Sequence, residues 1–128
     1  MIRKDAKGNI EITRGDYLPL EITAKCKDGS YYTFKVGDVV RFSIMEKGNC
    51  NSVVLRKSVT VNEEASVVVI EVSSEEMKIG GLINKPVQYW YEVELNPNTP
   101  KTQTIIGYTK EQGAKILTLT PESGDNNE

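Results

Sequence analysis

Side chains along this chain alternate between apolar and polar at every second residue, and that period leaves few architectures open. Leu18, Leu20 and Ile22 fall to one side of an extended backbone, with Pro19, Glu21 and Thr23 on the other. Val40, Phe42 and Ile44 oppose Arg41 and Ser43 in the same way, and Ile10 and Ile12 alternate with Glu11 and Thr13. The longest example puts Tyr89, Tyr91, Val93 and Leu95 on one face and Trp90, Glu92 and Glu94 on the other. Successive side chains of a strand point to opposite faces, so each run predicts a strand with one buried side. A helix layer needs apolar residues three and four apart over about ten residues, and no segment supplies them. The expected class is all-β.

Turn chemistry divides the runs. Lys27, Asp28, Gly29 and Ser30 read as a tight turn before the aromatic run Tyr31, Tyr32, Thr33 and Phe34. Residues 46–52 read as a loop. The valine-rich runs 53–61 and 66–72, separated by Asn62, Glu63, Glu64 and Ala65, predict a hairpin, because β-branched residues pack well on a pleated surface. Residues 67–70 are apolar on both faces and suit a central strand. Pro19 has no N–H to give and suits an edge or a strand start better than a central ladder position. Residues 102–108 and 114–120 predict the last pair, after a loop over 96–100 that holds two prolines.

One helical signal is present. Ser73 and Glu76 are spaced as a capping box, and Gly80 and Gly81 end the segment, which predicts a connector of a turn or two. The count comes to about seven or eight strands, best arranged as two packed antiparallel sheets, with a partly closed barrel as the competing arrangement. A chain of 128 residues is sized for one core. The expectation is a single β-sandwich domain over residues 1–121 followed by a disordered polar tail over 122–128.

Composition narrows the chemistry. There is no histidine, which removes histidine-dependent triads and histidine-ligated zinc. The two cysteines, Cys26 and Cys50, are too few for a four-thiolate site, and the sequence leaves open whether they are bridged. Carboxylate pairs remain: Glu92 with Glu94, Glu63 with Glu64, Glu75 with Glu76. Each has a simpler reading as the wet side of a strand, a turn surface or the first turn of a capped segment. Asp16, Asp28 and Asp38 adjoin glycines without the oxygen spacing of a calcium loop. Arg14, Gly15 and Asp16 spell an adhesion tripeptide, which reads here as a turn. No catalytic residue, cofactor or metal site is predicted. Sixteen basic against 18 acidic residues, interspersed and netting −2, give no stripe to neutralise phosphates, and residues 67–70 are far too short an apolar run to span a bilayer. Neither a nucleic acid nor a membrane is an expected partner.

The aromatic residues are the candidate site. Alternation forces some of Tyr31, Tyr32, Tyr89, Trp90 and Tyr91 away from the core, and Trp90 shares its face with Glu92 and Glu94. Tyr31, Tyr89, Trp90 and Glu92 are therefore the predicted interface or ligand platform, anchoring a protein partner or stacking on a sugar ring, with simple core filling as the plain alternative for the aromatics.

The order of segments also resembles a known group. Residues 12–20 with their Gly15-Asp16 turn, then Lys27-Asp28-Gly29, Val36-Gly37-Asp38 leading into 39–44, residues 89–95, and residues 104–108 resemble small structural proteins of tailed phages and prophages of Gram-positive bacteria. The likeness is greatest to the N-terminal domain of upper baseplate proteins, and it runs from about Ile10 to Pro121. It implies an immunoglobulin-like scaffold and a free-standing, non-enzymatic assembly role. Other tail or baseplate proteins, or further copies of the chain, would be the partners, in the virion or in the host cytoplasm during assembly.

Overall fold

The computed structural model describes residues 2–122. Every regular element among them is a strand: β1 (Ile2–Lys4), β2 (Ile10–Thr13), β3 (Leu18–Ile22), β4 (Val39–Glu46), β5 (Asn49–Thr60), β6 (Val68–Val72), β7 (Val87–Leu95), β8 (Gln103–Ile106) and β9 (Lys115–Thr120). Seven strands form one sheet in the order β1-β2-β9-β7-β4-β5, with β8 also paired to β7, and β3 and β6 form a separate two-stranded sheet. Most pairs are antiparallel, but β2 and β9 run parallel, Ile10 opposite Leu117 and Ile12 opposite Leu119. The sheets are thus mixed and antiparallel, where the sequence led us to expect two antiparallel ones.

Alternation explains how the sheets meet. Leu18, Leu20 and Ile22 are all buried, as are their β6 neighbours Val68, Ile70 and Val72. They join Ile10, Ile12, Val40, Phe42, Ile44, Val93, Leu117 and Leu119 of the larger sheet in one apolar cluster. Phe34, Val61, Met77 and Ile79 come into that cluster from the connecting segments. Phe42 and Tyr91 pack with ring centroids 5.8 Å apart, and Tyr32 meets Phe34 edge to face.

Several pairings differ from expectation. Runs 53–61 and 66–72 do not form a hairpin: β5 pairs with β4, whereas β6 pairs with β3. The connection crosses between sheets, tied by Val61 N–H to the Asp38 carbonyl and Phe34 N–H to the Ala65 carbonyl. β6 is not central either, since Val67 and Val69 stay exposed. Residues 46–52 are mostly strand, with only a tight turn at Lys47 and Gly48. The last two strands do not pair with each other: both pair with β7, and the connection between them holds one isolated bridge, Thr109 to Gly113. The aromatic run 31–34 makes isolated bridges only.

No helical connector forms. The Ser73–Glu76 box is made in both directions, Glu76 N–H to Ser73 Oγ at 3.2 Å and Ser73 N–H to Glu76 Oε1 at 2.9 Å, around one turn closed by Met77 N–H to the Ser73 carbonyl. It stops there because Met77 is drawn fully into the core and the next carbonyls are taken by Arg14. Arg14 donates to the carbonyls of Lys78 (3.2 Å), Ile79 (3.0 Å) and Gly80 (2.8 Å), and to Glu122 at 2.7 Å. The adhesion-like tripeptide is therefore an internal clamp whose arginine is only 8% exposed. Glu122, the first residue of the expected tail, is held by that clamp, and residues 123–128 lie outside the described residues.

Arg14 ties the capped turn to β2 through a fan of acceptors that one ammonium group cannot reproduce. Replacing it leaves carbonyls short of partners, so R14A is expected to lose about 2–4 kcal/mol in urea denaturation and R14K to recover less than half of that loss.

Candidate functional site

Strand β7 has β4 along one side and two different strands along the other. β9 pairs with its first half, ending at Tyr91 opposite Lys115, and β8 pairs with its second half from Val93 onward. Glu92 lies at the junction where neither reaches. A cleft of about 250 Å³ opens there, lined among others by Met45, Cys50, Trp90, Glu92, Tyr108 and Lys115.

The face of the large sheet turned from the core has its own order. Val53 lies opposite Met45, Met45 opposite Trp90, and Trp90 opposite Ile116. These four residues form an apolar row across β5, β4, β7 and β9. Met45 is only 3% exposed, yet it is not part of the main core cluster; the row is a second, smaller apolar assembly on the other side of the sheet. Cross-strand neighbours of this kind are the unit in which a sheet is stabilised.

Beside the row runs a charged band. Arg41 and Glu94 face each other across β4 and β7 and pair at 2.8 Å, with side chains 14% and 21% exposed. Arg56 Nε–H donates to the fully buried Ser43 hydroxyl at 3.0 Å, and Ser43 stands opposite Glu92. Arg41 Nε is buried without a hydrogen-bond partner among the described residues. Partial burial, with the Glu94 charge second, raises the Glu92 pKa against the opposing pull of Arg41 and Arg56. On the core side, Tyr91 donates its hydroxyl to the Gly8 carbonyl, and burial pushes its pKa up to about 12.

Of the four residues predicted as a platform, the structure brings two together. Trp90 is half-buried and lines the cleft with Glu92. Tyr89 points to the opposite face and packs against the edge of the core. Tyr31 is exposed elsewhere, its ring under the Lys25 ammonium at 5.4 Å. Sequence reasoning missed Met45, Ile116, Cys50 and Tyr108. The first had a signal, since Arg41, Ser43 and Met45 share a face and a methionine is out of place on a polar one. Tyr108, 74% exposed, had none, because it reaches the cleft from the β8–β9 connection.

Both cysteines are exposed free thiols. Among the described residues no group of three or more His, Cys, Asp or Glu side chains is arranged to hold a metal ion, and no helix is long and apolar enough to cross a membrane. No protein-family model, curated protein or solved structure matches the chain.

The raised Glu92 pKa fixes the sign of a pH effect. A carboxyl that binds its proton more tightly when folded loses stabilisation as pH rises from its ordinary value of 4.5 through its folded value. E92Q is thus expected to gain stability relative to the parent across that window and to keep the gain at neutral pH, with the two curves converging below pH ~4. Chemical denaturation of both proteins over pH measures this difference; a gain confined to acid would reverse the assignment.

Proposed function

We propose that the chain is a non-enzymatic binding and assembly module that joins protein partners through the outer face of its large sheet. The observation that carries this reading is the apolar row Val53, Met45, Trp90 and Ile116, with an open cleft beside its tryptophan. Aromatic residues seated beside a pocket and rimmed by polar groups are the usual energetic centre of protein interfaces. Arg41, Glu94, Arg56 and Glu92 supply such a rim along one side.

A second feature supports the same reading. β5 is 12 residues long, contains no proline and has no strand on its far side among the described residues. A long edge of this kind presents unpaired backbone groups on which a neighbour can add a strand. Register shifts after Ile44 twist its first part away, which leaves 55–60 as the regular stretch.

The proposal extends to setting and scaffold. The resemblance in the sequence order of segments and turn motifs supports a tail or baseplate component of a phage or prophage, with an immunoglobulin-like scaffold. Two sheets around one core agree with such a scaffold, and the seven-to-two division of strands and the parallel β2–β9 pair are what it has to accommodate. The rival sugar-platform reading draws less support, because Tyr31 and Tyr89 do not join Trp90 in a row.

The test is light scattering of the pure protein alone and mixed with the tail or baseplate proteins encoded beside it. A complex or a defined oligomer is expected, weakened about tenfold or more in W90A and I116E while their far-ultraviolet spectra stay unchanged. Strict monomers and no complex at tens of micromolar would overturn the reading, and loss of cell-wall glycan binding in W90A would favour the sugar platform.

A further inference from the structure

A second surface, away from the tryptophan cleft, combines a groove with one sign of charge. The space between β8 and the segment after β3, about 470 Å³, is lined among others by Lys25, Lys27, Lys101, Gln103, Thr104 and Asn96. Among the described residues no carboxylate lines it, although the whole chain carries a net −2. None of the three ammonium groups has an ion-pair partner among the described residues. Of the acids beside it, Asp38 accepts from the Tyr32 hydroxyl (2.7 Å), the Lys35 N–H (2.9 Å) and the Asn96 amide (3.2 Å), and Asp28, next in sequence to Lys27, accepts from the Ser30 N–H and hydroxyl.

The lysines sit on built turns. Cys26 N–H to the Ser30 carbonyl (2.8 Å) and Tyr32 N–H to the Ala24 carbonyl (2.7 Å) close the turn that carries Lys25 and Lys27. Asp28 fixes its tip by accepting from the Ser30 N–H and hydroxyl. The Tyr31 ring holds the Lys25 ammonium at 5.4 Å. On the other side, Thr99 Oγ1 accepts from the Lys101 N–H and donates to the Asn96 carbonyl, which fixes the approach to β8. Among the described residues β8 pairs with β7 alone, so its far side offers backbone groups beside the lysines that no described strand takes.

We infer that this groove takes an extended acidic peptide segment of a partner protein, laid along β8 with its carboxylates toward Lys25, Lys27 and Lys101. Charge complementarity selects the partner and sets the encounter rate, while pairing to the strand edge supplies direction. An extended chain rises about 3.3 Å per residue with alternate side chains on one side. A sequence with acids at every second position would therefore present them all on one side of the peptide. The inference does not rest on the tryptophan cleft, and either surface can fail without the other.

The probe is a capped peptide alternating glutamate and threonine, titrated into isotope-labelled protein while backbone amide shifts are followed at low salt. Shifts are expected at residues 24–27 and 101–106, with binding weakened about tenfold or more for the K25Q/K27Q/K101Q triple variant, for the glutamine–threonine peptide, and on raising salt. All three lysines are exposed, so the variant should keep its fold, and its unperturbed amide spectrum checks that. Equal affinity in the triple variant, shifts confined to other strands, or equally tight binding of a proline-interrupted peptide of the same charge would overturn the inference. So would inorganic triphosphate or oligothymidylate binding as tightly at the same residues, which would make the groove a phosphate site.

Discussion

Every layer of this structure depends on β7 being paired along both sides. Its core-facing residues Tyr91, Val93 and Leu95 meet Ile44, Phe42 and Val40 of β4 in register, and that contact forms the floor on which the small sheet rests. Its other face brings Trp90, Glu92 and Glu94 against Met45, Ser43 and Arg41. Because the pleat has a period of two, one register fixes both faces at once, and a slip by one residue would exchange the core for the charged band. The seam between β8 and β9 follows from the same strand: it is longer than either partner, so they share it end to end.

Faces were legible in the sequence, and pairings were not. The alternation of 18–22, 40–44 and 89–95 foretold which side of each strand is buried, and the structure agrees at Leu18, Leu20, Ile22, Tyr91, Val93 and Leu95. Pro19 lies in a strand that has one partner among the described residues, the edge setting that suits its missing N–H. The valine-rich runs 53–61 and 66–72 marked strands correctly, but composition says nothing of which neighbour a strand takes. Nearness in sequence suggested a hairpin, whereas β5 pairs with β4, its Leu55 and Val59 only partly buried against the core, and β6 pairs with β3 and buries Val68, Ile70 and Val72. The capping box shows the same limit, since its local bonds form, yet tertiary demand for Met77 and for the 78–80 carbonyls ends the turn.

The candidate site was half legible for the same reason. Trp90 and Glu92 share a face by simple counting, so their juxtaposition could be read directly. Tyr89 lies on the other face by the same counting, and grouping it with them ignored the pleat. The rest of the apolar row depends on registers between strands far apart in sequence, and only Met45 announced itself. The polar groups of this face pair across the strands. Arg41, Glu94, Arg56 and Ser43 neutralise and hydrogen-bond one another across the strands, which lets a half-buried carboxylate sit next to an apolar stripe.

The parallel pairing of β2 with β9 has a consequence for how the protein is made. Asn9 accepts from the Ile116 N–H across 107 positions of chain. A ribosome releases the earlier partner long before the later one exists, so during synthesis Ile10 and Ile12 wait as an unfinished hydrophobic ribbon. The large sheet can close only after translation has passed its final strand, and contacts of such wide separation form slowly because the intervening loop must first be closed.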